Sequence, residues 1–439
     1  MMRENESFAS LNIKDASYPQ LFPQNLEFNA PAHGTWNTVH VAMQVPDAHQ
    51  IYVCAINCMR GVIQTALEMN ERDRFHFVLV EEKDVIRGSI ERVTIDGTAD
   101  VLNKLPKFPP IVFLFTVCTH RFLACDYEYV YRELGRMFPS VRFVRCYMEP
   151  ITTKDGRVAD TILREGIYEP LEMLPPMDML VSILGGDFVL DEDCDLKRML
   201  SSKGIQTGEL RAIDTLEEYY QLAAARAFVA VFPKAYSGAQ KTGDRLGREV
   251  LYLPSSFSYE ECEEQVEIVS QRFGVEALDC KKEAALCEEK AAELKAKIGD
   301  TPVHIDYNVH PRVFGLAKYL HEHGFNVTHI YADTVSEEDR AAFLWLKENH
   351  PGLIVASCIQ PEARIRPRDV YLEEKVLALG QLAAWFTSSG YFVNCVEGAG
   401  LQGFSGIRHM LDMMSDAFDE EKDYESLIPI KGMGCESCV

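Results

Sequence analysis

One stretch constrains the fold more than any other. Pro110 to Val117 (PIVFLFTV) carries no charge and is apolar on both faces of an extended chain. A strand with one wet face alternates apolar and polar residues. A run without alternation belongs in a parallel sheet covered on both sides by helices. The neighbouring segments supply those helices and further strands. Gln50–Val53 reads as a strand, Met59–Asn70 as a helix, Phe75–Val80 as a strand, Asp126–Met137 as a helix and Val141–Cys146 as a strand. The rhythm repeats after Pro175-Pro176, with a strand at Met179–Leu184, helices at Cys194–Lys203 and Thr215–Ala225, and a strand at Ala227–Phe232. It returns a third time after a charged helical stretch, Glu276–Lys297. There Pro302–Tyr307, Asn326–Tyr331 and Gly352–Ser357 read as strands, and Pro311–His323 and Ser336–Glu348 as helices.

Strand and helix in alternation, three times over, predict an α/β chain of three Rossmann-like domains with parallel sheets and right-handed crossovers. The divisions fall at 1–28 (an arm), 29–177, 178–275 and 276–418, with an acidic tail over 419–439. In such sheets ligands sit in the crevice at the carboxyl ends of the strands. The functional site is expected in the crevice between the domains.

Composition narrows the partners. The net charge of −23 repels a phosphate backbone and an anionic bilayer, so neither nucleic acid nor membrane is an expected partner. The most apolar stretch, Pro109 to Cys118, falls short of the ~20 residues of a bilayer helix. The start of the chain is polar and has no apolar signal core, which predicts a cytoplasmic protein. Thirteen cysteines in a reducing compartment do not read as a disulfide framework, so some are metal ligands or buried apolar residues. No Gly-rich dinucleotide fingerprint, P-loop, nucleophile elbow or zinc-protease motif is present, and the Gly185-Gly186 pair stands without the rest of such a motif. ATP and NAD are therefore not expected on this chain.

Two cysteines fall where an α/β sheet presents its ligands. Cys54 ends the strand QIYV, and Cys118 follows the strand IVFLFTV; helix-forming residues come after each. A helix N-terminus lowers a thiol pKa and favours the thiolate that binds metal. Cys58, one turn beyond Cys54, can face the same site. Cys125 stands close behind Cys118. Cys262, Cys280 and Cys287 lie on Glu/Lys-rich helices, where solvated or half-buried positions are expected. Cys146, Cys358 and Cys395 lie near strand ends, with core packing the default for the first two. Gly432 to Val439 holds a Cys435-x-x-Cys438 pair without a partner pair, which reads as a tail rather than a metal site. His304, His310, His321, His323 and His329 gather in the third block. His321 and His323 are two apart and do not share a helix face.

The ordered set of segments resembles the nitrogenase component 1 family. Asn29-Ala-Pro-Ala-His-Gly34 is similar to its first cysteine turn. Val53-Cys54-Ala-Ile-Asn-Cys58-Met-Arg-Gly61 is similar to the second element; Cys54 follows Asn29 by 25 positions. Phe115-Thr-Val-Cys118-Thr-His-Arg-Phe-Leu-Ala-Cys125-Asp126 is similar to the third. The likeness continues through LKRMLSSKGI, TLEEYYQLAAARAFVAVF, GLAKYLHEHGFNV and FVNCVEGAGLQGFSGI, over residues 29–418.

The resemblance implies an iron–sulfur cluster, [4Fe–4S] or a related larger one, bound by Cys54, Cys118 and Cys58. It implies that the cluster is shared with a homologous component 1-like subunit or a second copy of the chain. It also implies a separate ATP-hydrolysing iron–sulfur reductase as electron donor, and a role as a subunit of a two-component oxidoreductase. The departures carry information. Asn29 stands where the family has its first Cys ligand, so either Cys58 takes that place or an iron stays open. Ala124-Cys125-Asp126 replaces a Gly-Asp-Asp ending. Val393 to Glu397 lacks the His that holds the family's active-site cofactor, so neither that mode of holding it nor dinitrogen reduction is expected. A scaffold for cluster assembly and a purely structural partner subunit are the alternatives.

Overall fold

The computed structural model describes residues 9–23, 38–148, 159–368, 371 and 375–428. A short strand β1 (Ser10–Asn12) precedes three sheets. The first holds β2 (His49–Cys54), β3 (Phe75–Leu79), β4 (Ile111–Thr116) and β5 (Arg142–Tyr147) in the order β3-β2-β4-β5, all parallel. The second holds β6 (Met177–Ile183), β7 (Gln206–Glu209), β8 (Ala225–Ala230) and β9 (Glu249–Tyr252) in the order β7-β6-β8-β9, again parallel. The third holds β10 (Val303–Asp306), β11 (Val327–Tyr331), β12 (Ile354–Ala356), β13 (Leu377–Leu379) and β14 (Phe392–Val393), parallel among themselves in the order β12-β11-β10-β13-β14. The fold class is the α/β class that the strand–helix rhythm predicts.

β4 shows why its sequence reads as it does. All six residues are buried. Ile111, Phe113 and Phe115 pack into one core and Val112 and Leu114 into another on the opposite face, because successive side chains of a strand point to opposite sides. β2 divides the same way: Tyr52 and Cys54 join the first core, Ile51 and Val53 the second. The first of these cores also takes Leu184, Tyr219 and Phe228 from the second sheet and its helices, so one apolar cluster joins the two units. The core of the third sheet runs into the second by the same route, through Val181, Val229 and Ile305.

The described part of the N-terminal segment, residues 9–23, is paired into the third sheet. Ser10–Asn12 pairs antiparallel with β12, and Ile13, fully buried, donates its N–H to Leu353 O at 2.7 Å. Three residues are too short to show a period, and the pairing is set by the strand they meet.

Candidate functional site

Cys54 is the last residue of β2 and is fully buried. Its Sγ faces Met59 Sδ at 2.8 Å, on the first turn of the helix Ile56–Glu68. Cys58 lies on that same turn and is exposed. Cys118 opens the helix Cys118–Phe122 directly after β4 and is half-buried. β2 and β4 are neighbours in register, Val53 opposite Thr116, so both strands deliver their cysteines to one edge of one sheet. The three thiols are electrostatically in touch: Cys118 acts on Cys58, and Cys58 on Cys54.

The expected lowering of these thiols does not occur at Cys54 or Cys58. Burial pushes Cys54 up to about 12, with Cys58 adding to it, and burial followed by Cys118 raises Cys58. Desolvation here outweighs the helix terminus, and Cys54 rests as a thiol. Metal must displace its proton to bind it. Around the two outer thiols the surface is apolar. Ile56 and Phe122 are 61% and 71% exposed, each within four residues of a candidate cysteine.

Among the described residues, no group of three or more His, Cys, Asp or Glu side chains is arranged to hold a metal ion, Cys54, Cys58 and Cys118 included. The donor set is two outer thiols, Cys58 and Cys118, with Cys54 behind them. That set does not make a whole cluster site. Asn29 and the Cys435/Cys438 pair lie outside the described residues.

The remaining cysteines separate cleanly. Cys125 is buried in the core behind β4 and pushed up to about 12 by burial and then Glu91; its neighbour Asp126 caps the helix Tyr127–Met137 through Tyr129 N–H at 2.9 Å. Cys262 and Cys287, expected at solvated or half-buried positions, are fully buried instead. The helix Cys280–Ile298 turns Cys287, Ala291, Leu294 and Ile298 inward, a stripe of helical spacing inside a charged sequence. Cys395 is buried, and its thiol donates to Val309 O at 3.4 Å.

A second polar constellation, not anticipated from sequence, fills the crevice between the three sheets. Asp187 follows β6, Lys234 lies just past β8, and Glu397 follows β14. Asp160 and Arg164 come from the helix Ala159–Gly166 after β5. Arg164 is fully buried and grips Asp187 bidentately, Nη1 to Oδ1 at 2.9 Å and Nη2 to Oδ2 at 2.5 Å, while also donating to Gly185 O at 2.8 Å. Gln44 donates to Asp187 Oδ1 at 2.8 Å. Lys234 Nζ stands 3.4 Å from both Asp160 Oδ2 and Glu397 Oε1.

The loop that carries Glu397 is wedged. A Cβ at Gly398 (φ +83°) would stand 2.8 Å from the His310 ring, and one at Gly400 (φ +88°) 2.4 Å from Val189 O. The adjoining cavity, lined in part by Asp187, Ser255, Pro311 and Glu397, measures about 30 Å³. At ~10–15 Å³ per water it has room for about two waters. A metal–sulfur cofactor does not fit it. The sequence signal for it is the glycine-rich run after a strand, VEGAGLQG, which carries Glu397.

No family model matches the sequence, and no curated protein matches it. Solved structures do. Nitrogenase Cp1 at pH 6.5 matches with TM-score 0.66 and 11% identity over 90% of this chain and 94% of that one. Nitrogenase Cp1 at pH 5 matches with TM-score 0.59 and 12% identity over 93% of each. The chain therefore has the nitrogenase component 1 fold, along nearly the whole length of both chains. Among the described residues, no helix is long and apolar enough to cross a membrane.

Proposed function

We propose that the chain is a cytoplasmic subunit of a nitrogenase-like two-component oxidoreductase, and that Cys54, Cys58 and Cys118 hold its share of an iron–sulfur cluster at a subunit interface. The observation that carries the reading is the pair of strand-end cysteines, with Cys58 between them, at one edge of the first sheet of a component 1 fold. Cys58 and Cys118 present their thiols outward, and Cys54 supplies a third from below once its proton leaves. Ile56 and Phe122 form the apolar rim that a second subunit, homologous or identical, covers to exclude water. When bound, the cluster supplies one-electron transfer at low potential. An ATP-hydrolysing iron–sulfur protein is the proposed electron donor, which agrees with the lack of a P-loop in this sequence.

A second reading, a scaffold on which a cluster is assembled and handed on, is favoured by one observation. The thiols of Cys54 and Cys58 are raised, which weakens the hold on metal at neutral pH. Light scattering on anaerobically purified chain, with iron assayed in Cys54→Ala and Cys118→Ala, tests the shared site. The expected result is at least a dimer in the native protein and loss of iron in both variants. A monomer replete in iron, or variants that keep all of it, overturns the proposal. Release of the cluster to an apo-acceptor on mixing would favour the scaffold.

A further inference from the structure

We propose that the crevice between the three sheets is a proton-holding site, in which Glu397 carries a proton donated in a hydrogen bond to Asp187 and exchangeable with water in the adjoining cavity. Asp187 is saturated as an anion, since Arg164 takes both of its oxygens and Gln44 one of them again. Glu397 is some nine-tenths buried, and its carboxyl meets Asp187. Its Oε2 receives no donor among the described residues. A buried carboxylate with a bare oxygen against a second carboxylate is not a stable arrangement, and a proton on Oε2 resolves it. The proton belongs on Glu397 because the guanidinium sits on the other partner.

The charged surroundings agree. Burial pushes the Glu397 carboxyl up and Asp187 pushes it further, against the opposing pull of Lys234 and then Arg164. Arg164 holds Asp187 below the usual carboxylate range in spite of burial. Tyr307 feels the Glu397 charge from β10's end, and the His310 ring lies over Gly398, pushed down by burial to about 3 and therefore neutral. The backbone is committed to the position as well. Glu397 has φ +51°, the left-handed region, and is fixed there by its N–H on Asn308 O at 2.5 Å. A non-glycine residue in that region is strained and persists only where its surroundings fix it. Asp160, also some nine-tenths buried, has neither oxygen hydrogen-bonded, and Arg164 Nε is bare. Lys234 Nζ stands between Asp160 and Glu397, 3.4 Å from an oxygen of each.

The step is a plain proton transfer. The Glu397 Oε2–H bond breaks and the proton joins a water oxygen in the cavity. The carboxylate left behind is compensated by Lys234, whose Nζ stands 3.4 Å from Oε1. None of this depends on the cysteine edge, so the two proposals fail separately.

Infrared spectroscopy of the full chain in heavy water reads the carbonyl stretch of a protonated carboxyl directly. The expected result is protonated-carboxyl absorption at neutral pH that falls on alkaline titration and is smaller in Glu397→Gln, whose amide still donates to Asp187; Asp306, pushed up by burial to about 7, supplies the remainder. Lys234→Met removes the opposing charge and shifts the titration to higher pH. The cysteine variants leave the band unchanged. A spectrum at neutral pH that is the same in Glu397→Gln as in the parent overturns the proposal, and so does a midpoint unmoved in Lys234→Met.

Discussion

Replacing Arg164 by Met removes the one cation that saturates Asp187. Both side chains are out of water, at 0% and 1% exposure, so the ion pair has no solvent to fall back on. Removing one partner of a buried pair leaves an uncompensated charge and costs about 3–5 kcal/mol. The lost hydrogen bond to Gly185 O adds about 1 kcal/mol. Met fills much of the space and keeps contact with the Phe232 ring, over which the guanidinium lies at 4.8 Å, so the cavity contribution is small. The expected loss is then about 4–6 kcal/mol, most of it electrostatic. Urea unfolding followed by circular dichroism measures it as a fall in midpoint at unchanged slope. The double variant Arg164→Met/Asp187→Leu discharges the site and should return to within about 2 kcal/mol of the parent. A single variant that loses less than about 1 kcal/mol, or a double variant as unstable as the single, would refute the reading of a charge-saturated crevice.

Two further outcomes are open to the same assay. Gly403 has φ +71°, and a Cβ there would stand 2.2 Å from Asp195 Oδ2, the carboxylate that accepts Phe404 N–H at 2.6 Å at the start of the helix Gly403–Asp419. Gly403→Ala should therefore cost about 2–4 kcal/mol through backbone strain and the lost cap, whereas Gly135→Ala, whose Cβ meets nothing on the helix Tyr127–Met137, should gain up to about 1 kcal/mol. Burial pushes His120 down to about 4, so the folded chain keeps it neutral while the unfolded chain protonates it near its ordinary value. Stability from this residue is present at neutral pH and is lost as pH falls below about 6.5 toward 4; His120→Gln should lose about 2 kcal/mol less than the parent between pH 7 and pH 5, and an equal loss in both would contradict the assignment.

What the sequence disclosed follows from the range of the interactions involved. β4 was legible because five consecutive apolar residues, Ile111 to Phe115, leave one solution for a strand, burial on both faces. Cys54 and Cys118 were legible as strand-end residues because the strands themselves were. β1 was not, since Ser10–Asn12 is defined by β12, more than three hundred residues away. The crevice was not legible either. Asp160, Arg164, Asp187, Lys234 and Glu397 look like ordinary surface charges until three sheets bring them together. The thiols of Cys54 and Cys58 show a different limit: the helix-terminus argument was local, and burial, which is tertiary, decided the direction. Cys287 had a local signal that was outvoted by composition, the inward stripe of Cys287, Ala291, Leu294 and Ile298 amid Glu and Lys.

The account stands most directly on the metal. Iron and acid-labile sulfide per chain, with an electron paramagnetic resonance spectrum, measured on anaerobically purified parent, Cys58→Ala and Cys118→Ala, is the deciding measurement. The account predicts iron and sulfide in the parent at the stoichiometry of a cluster shared between subunits, and loss or conversion of the signal in each variant. A parent without iron, or a cluster whose amount and spectrum are unchanged in both variants, would contradict it.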